Sequence, residues 1–145
     1  MIERFEHYLN EGLVRKVKKD REEAKSLMNR ATLRLDYVKR QEISEDTAPF
    51  IFEDIYETLR EAAQSLMSLK GYKPFSHEAL ISFLKQFYNF PEHETSAFNR
   101  YRILRNKTVY CAAHVSTQVC KESLEFAEAF LPKLRKEFEN AQEKA

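Results

Sequence analysis

Turn residues are almost missing. The chain has 2 glycines and 4 prolines in 145 residues, too few to punctuate a strand-and-turn protein of this length. Cysteine is as scarce, at 2: Cys111 and Cys120 are not spaced as Cys-x-x-Cys metal ligands, and two thiols cannot build the disulfide framework of a small secreted domain. They read as reduced, apolar core residues. No apolar run approaches the ~20 residues that span a bilayer, and no charged start followed by an apolar stretch marks a signal peptide. A surplus of one charge is lacking too. With 24 basic and 23 acidic residues the formal charge is +1, so a polyanion must be drawn by a local patch rather than by the field of the whole molecule. The expectation is a soluble, cytoplasmic chain with no membrane association.

What is present is helical periodicity. The length suits one domain with a core of its own, taken as 1–145, in an all-α, up-and-down bundle of four to six helices. "MIERFEHYLNEG" reads as a short helix with Ile2, Phe5 and Leu9 on one side, and basic "VRKVKK" as a link. Asp20 and Glu23 have capping-box spacing before a second helix to about Arg40. A third carries Phe52, Ile55, Leu59, Ala62, Ala63, Leu66 and Leu69 as a stripe that stops at Gly71. "GYKPFSH" lacks the glycine spacing of a phosphate loop and reads as a helix-to-helix turn with Tyr72 and Phe75 packed inward. Ser76 caps a fourth helix with Leu80, Phe83, Leu84 and Phe87, and a fifth runs from about Glu94 to about Ala113. From near Ser116 a long sixth helix repeats Cys120, Leu124, Ala127, Leu131, Leu134, Phe138 and Ala141, with a kink or local end expected at Pro132. The tail "RKEFENAQEKA" reads as a solvated helix end.

The fifth helix is the unusual one. From Thr95 to Cys120 the chain has Arg100, Arg102, Arg105 and Lys107 but no Asp or Glu. Ala97, Tyr101, Leu104, Thr108 and Cys111 fall within about 80° of one another and face the core. On roughly the opposite side lie Ile103, Asn106, Tyr110, Ala113 and His114, with Arg102, Arg105 and Val109 between. A helix facing only water would not place Ile, Val and Tyr there. Either other helices of the chain bury that side or it is the contact face of a symmetric dimer. Arginines beside an apolar surface with no acid nearby in sequence are poised for an anion such as phosphate, unless acids from other helices pair them.

The order of helices, "GYKPFSHEALISFL" between the third and fourth, and "LRNKTVY" in the fifth followed by a long helix resemble the HEPN superfamily. Its members are small helical domains found in toxin–antitoxin pairs and beside minimal nucleotidyltransferases. The resemblance spans nearly the whole chain. It implies a homodimer whose motifs share a cleft, a nucleotidyltransferase-type antitoxin partner, and RNA or a nucleotide as ligand. Many members are metal-independent endoribonucleases with Arg, four to six residues, then His.

Arg105 and Asn106 match the start of that motif, but Tyr110 stands after four intervening residues and Cys111 or Ala112 after five or six. A His of near-neutral pKa exchanges protons at working pH, whereas a Tyr stays protonated and donates a hydrogen bond. The resemblance therefore gives Arg105, Asn106, Tyr110 and His114 as catalytic candidates, with His114 about 6 Å beyond Tyr110 along the axis. Arg102, Arg105 and Lys107 are the ligand-binding candidates. Tyr110 also offers a hydroxyl that nucleotidyl transfer could target. His7, His77 and His93 have no metal-ligand companions, so neither metal nor cofactor is expected. Three functions follow: a binding module whose catalytic His is replaced, a ribonuclease completed by Tyr110 or His114, and a scaffold whose arginines serve only internal ion pairs.

Overall fold

The computed structural model describes residues 1–143 and shows an all-α bundle with one small sheet. Helix α1 (Phe5–Asn10) leads into β1 (Val14–Lys16), then α2 (Arg21–Lys39), α3 (Ala48–Lys70), β2 (Tyr72–Pro74), α4 (His77–Phe87), α5 (Glu92–Cys111) and α6 (Thr117–Glu143). The last two residues of the expected solvated tail lie outside the described residues.

Helix α3 is the central element, packed against α2, α4, α5, α6 and β2. Its sequence explains why. Ile51, Phe52, Ile55, Tyr56, Leu59, Ala62, Ala63, Leu66 and Met67 are all buried and fall within about 160° of one another, a broad apolar side, and the buried Thr58, Glu61, Ser65 and Ser68 lie beyond it, so nearly the whole helix is enclosed. The α6 seam buries Cys120, Ala127, Leu131, Leu134 and Phe138 against it, joined by Phe130 and Ser123. Pro132 does not end α6, which continues through it; buried Phe130, Leu131 and Leu134 hold the helix together on both sides of the missing N–H.

Two segments depart from the expected all-helical path. "VRKVKK" and "GYKP" pair as the antiparallel strands β1 and β2, with Arg15 opposite Lys73. Gly71 makes this possible. It caps α3 at φ 82°, and a Cβ there would stand 2.7 Å from the Val17 carbonyl oxygen, so only glycine both turns the chain and admits the neighbouring strand. Strand alternation then corrects the reading of Phe75. Tyr72 is half-buried, while Lys73 and Phe75 face outward and Phe75 is 50% exposed.

The two expected helix caps are present: the Asp20 carboxylate accepts from Glu23 N–H at 2.9 Å and the Ser76 hydroxyl from Glu78 N–H at 3.1 Å. The second cap fixes the start of α4, and with it the position of His77.

Candidate functional site

Helix α5 is held at its first turn by Glu94, whose buried carboxylate meets Lys133 of α6. Ala97, Phe98 and Thr108 are buried, Tyr101 and Leu104 half-buried. Cys111, expected in the core, is exposed at the helix end; only Cys120 is buried. The other side of α5 is open, with Ile103 and Val109 each 42% exposed and Tyr110 75%. The chain's own helices therefore leave that side uncovered. His114 does not continue the stripe: α5 stops at Cys111, Ala112 takes a left-handed φ of 52°, and His114 is exposed in the link that follows.

The arginines of α5 divide into two kinds. Arg102 is largely buried and finds an acid, its guanidinium lying 3.6 Å from Glu78 of α4 and donating to the Asn99 side chain at 2.9 Å. Arg105 finds none. Its guanidinium lies 5.8 Å from the Tyr56 ring centroid and 6.0 Å from that of Tyr110, donates to the Asn106 side chain at 3.3 Å, and has no carboxylate within salt-bridge distance among the described residues. Lys107 is exposed and enters none of these contacts.

Around Arg105 the fold gathers residues that the motif does not contain. Tyr56 of α3 stacks on His77 of α4 with ring centroids 5.6 Å apart, and its hydroxyl lies 2.9 Å from His77 Nδ1. Burial pushes the Tyr56 phenol above its usual range despite the neighbouring arginines, so the group stays protonated. Its O–H is then the donor to Nδ1, an assignment that leaves the ring proton on Nε2.

Burial first, and then the positive charges of Arg105, Arg60 and Arg102, push the His77 imidazole down to about 4. It is neutral at pH 7. Arg60 pairs with Glu57 one turn away. Burial works against the Glu57 charge, but the hydrogen bond and charge of Arg60 hold its carboxyl below the usual range. With Arg60 matched to Glu57 and Arg102 to Glu78, the uncompensated charge of the cluster is that of Arg105.

Such a site can receive an anion: an unpaired guanidinium, two further arginines, an amide, and an imidazole N–H beside an aromatic wall. No group of three or more His, Cys, Asp or Glu side chains converges among the described residues. A cleft of about 460 Å3 between α2 and α6 contains none of these side chains; Asp36, Glu128 and Glu139 there face Lys39, Arg135 and Lys136, and the charges balance.

Of the sequence candidates, Arg102, Arg105, Asn106 and Tyr110 are brought near this cluster, while Lys107 and His114 are not. Tyr56, Arg60 and His77 were missed. Tyr56 and Arg60 lie on the core helix and His77 at a capped helix start, and only packing makes them neighbours of Arg105. No helix among the described residues is long and apolar enough to cross a membrane. Comparison with protein families, with curated proteins and with solved structures found no match.

Proposed function

We propose that this chain is a HEPN-like binding module that takes a phosphate-bearing ligand at Arg105, pairs with a second copy through the open side of α5, and serves beside a nucleotidyltransferase-type partner. The observation that carries the ligand reading is the unpaired, half-buried Arg105 guanidinium between Tyr56 and Tyr110. A guanidinium that only stabilised the fold would be expected to take a carboxylate, as Arg102 does. Exposed Ile103, Val109 and Tyr110 support the pairing.

A ribonuclease is the second reading, and His77 favours it by bringing to Arg105 the imidazole that α5 lacks. Its depressed pKa argues the other way. A group at about 4 is a weak base, and at pH 7 it is not the imidazolium that could act as a general acid. The binding module is therefore preferred.

The test is purified wild type beside Arg105→Ala, assayed without added metal for cleavage of mixed RNA and for nucleotide binding. A binding module cleaves nothing, and its nucleotide affinity falls about 10- to 100-fold in the variant, the scale of a hydrogen bond to a charged group. Cleavage by wild type alone would replace this reading with the ribonuclease. Equal nucleotide affinity in both proteins would leave Arg105 a scaffold residue.

A further inference from the structure

The outward face of the two-stranded sheet carries positive charge from both strands, Arg15 of β1 and Lys73 of β2, and the chain that follows β1 is basic as well. Arg15, Lys16, Lys18, Lys19 and Arg21 lie within seven consecutive residues interrupted by one acid, Asp20. That acid is engaged in capping α2. None of these cations, nor Lys73, has a carboxylate within salt-bridge distance among the described residues. Arg15 and Lys73 stand directly opposite each other across the strands, an arrangement that destabilises a sheet. Both side chains are exposed, and what offsets their repulsion within the chain is their shared contact with the Phe75 ring.

The same face carries an aromatic ring. Phe75 is half exposed, with the Arg15 guanidinium 4.9 Å and the Lys73 ammonium 5.8 Å from its ring centroid. Leu13 and Val17, at 37% and 41% exposure, flank Arg15 along the strand. Cations in register with an open aromatic ring match the two needs of single-stranded nucleic acid: phosphates take the charges, and a base stacks on the ring.

An anionic membrane would also meet cations and apolar side chains, but here the placement opposes it. Arg15 and Lys73 sit in the middle of the face, between Leu13, Val17 and Phe75, so inserting the apolar residues would carry both charges toward the acyl chains. We infer that the outward face of β1 and β2 is a docking surface for single-stranded nucleic acid, with Arg15 and Lys73 on the phosphates and Phe75 as the stacking platform. It stands apart from the Arg105 reading and uses none of its residues.

The experiment is fluorescence anisotropy of the full chain with labelled oligouridine of about 12 nucleotides, within the span of ordinary single-strand sites. It is run across a salt series on wild type, Lys73→Glu, Phe75→Ala and Arg105→Ala. Lys73→Glu is the informative variant. It replaces a like-charged cross-strand pair by an opposite one, so the fold holds or gains stability while the docking surface loses its charge. The expected result is about a tenfold loss of affinity with a shallower salt dependence, by about 0.7 for each phosphate contact removed.

Phe75→Ala is expected to weaken binding by about tenfold at unchanged salt slope. Arg105→Ala stays within about twofold of wild type on the oligonucleotide, and its effect on a mononucleotide reports the Arg105 site separately. Wild-type-like binding by Lys73→Glu and Phe75→Ala overturns the inference, as does failure of the wild type to bind at low salt. Binding to phosphatidylglycerol vesicles that is lost in Lys73→Glu, with oligouridine unbound, would assign the face to a membrane instead.

Discussion

Two arginine clusters lean on the central helix α3, and they are built on opposite terms. Arg34 of α2 donates to Glu61 at 2.9 Å and to Asp54 at 3.0 Å, while Arg30 adds a second contact to Glu61 at 3.0 Å. Glu61 is 2% exposed, so this network closes on itself with every charge answered. Around Arg105 the same helix offers Tyr56, whose direction from the axis is about 160° away from that of Asp54. Arg60 there is already engaged with Glu57, and no acid is left for Arg105. Both clusters join helices, but only one leaves a charge to spend on something outside the chain. Partial burial and aromatic neighbours make that charge more useful to a ligand, because screening by water is reduced.

The largest effect belongs to the closed network. Arg34→Ala removes the main partner of buried Glu61 and should destabilise the fold by about 3 kcal/mol, read as a lower urea midpoint at unchanged slope. Arg105→Ala should cost less than about 1 kcal/mol, the scale of an exposed cation–π contact. Its consequence is the loss of ligand described above. Equal destabilisation by the two substitutions would erase the distinction between a structural and a receiving arginine.

Acid sharpens the comparison from the other partner. His77 has a folded pKa of about 4, below the ~6.5 of an unfolded chain. Between those values the unfolded state binds more protons, so stability is full above about pH 6.5 and declines as pH falls toward 4. Discounted for the solvent that reaches the ring, the loss is about 1–2 kcal/mol. His77→Gln should flatten this part of the profile measured by thermal denaturation. A bound anion at Arg105 opposes the shift, so saturating phosphate should protect wild type in this window more than Arg105→Ala.

The smallest effect on stability is expected at the open side of α5. Val109→Arg and Ile103→Arg alter exposed positions and should change the folding free energy by under about 0.5 kcal/mol. In sedimentation velocity, however, they should convert a dimer to a monomer. A wild type that is already monomeric at micromolar concentration would remove the shared cleft from the proposed function while leaving Arg105 as a site within one copy.

How legible these features were differed by element. The stripe of α3, the caps at Asp20 and Ser76, and the long seam of α6 could be read from spacing, because local propensity and burial agree there. Arg105 and Asn106 were legible as a motif. Tyr56 and His77 were not: they are 21 residues apart in sequence, and their contact with each other and with Arg105 arises from packing among three helices. Phe75 was misread because a three-residue strand carries too little alternation to be seen, and its outward direction follows from pairing with β1.

Composition and periodicity alone determined that this chain folds as an all-α bundle, where α2 and α4 start and α3 stops, and that positive charge collects on α5. Those properties depend on near neighbours in the chain. The tertiary structure decided which arginine is answered and which is not: α4 brings Glu78 to Arg102, α3 brings Tyr56 but no acid to Arg105, and the strands set Arg15 against Lys73. These three placements depend on distances across the fold, and no spacing along a single helix encodes them.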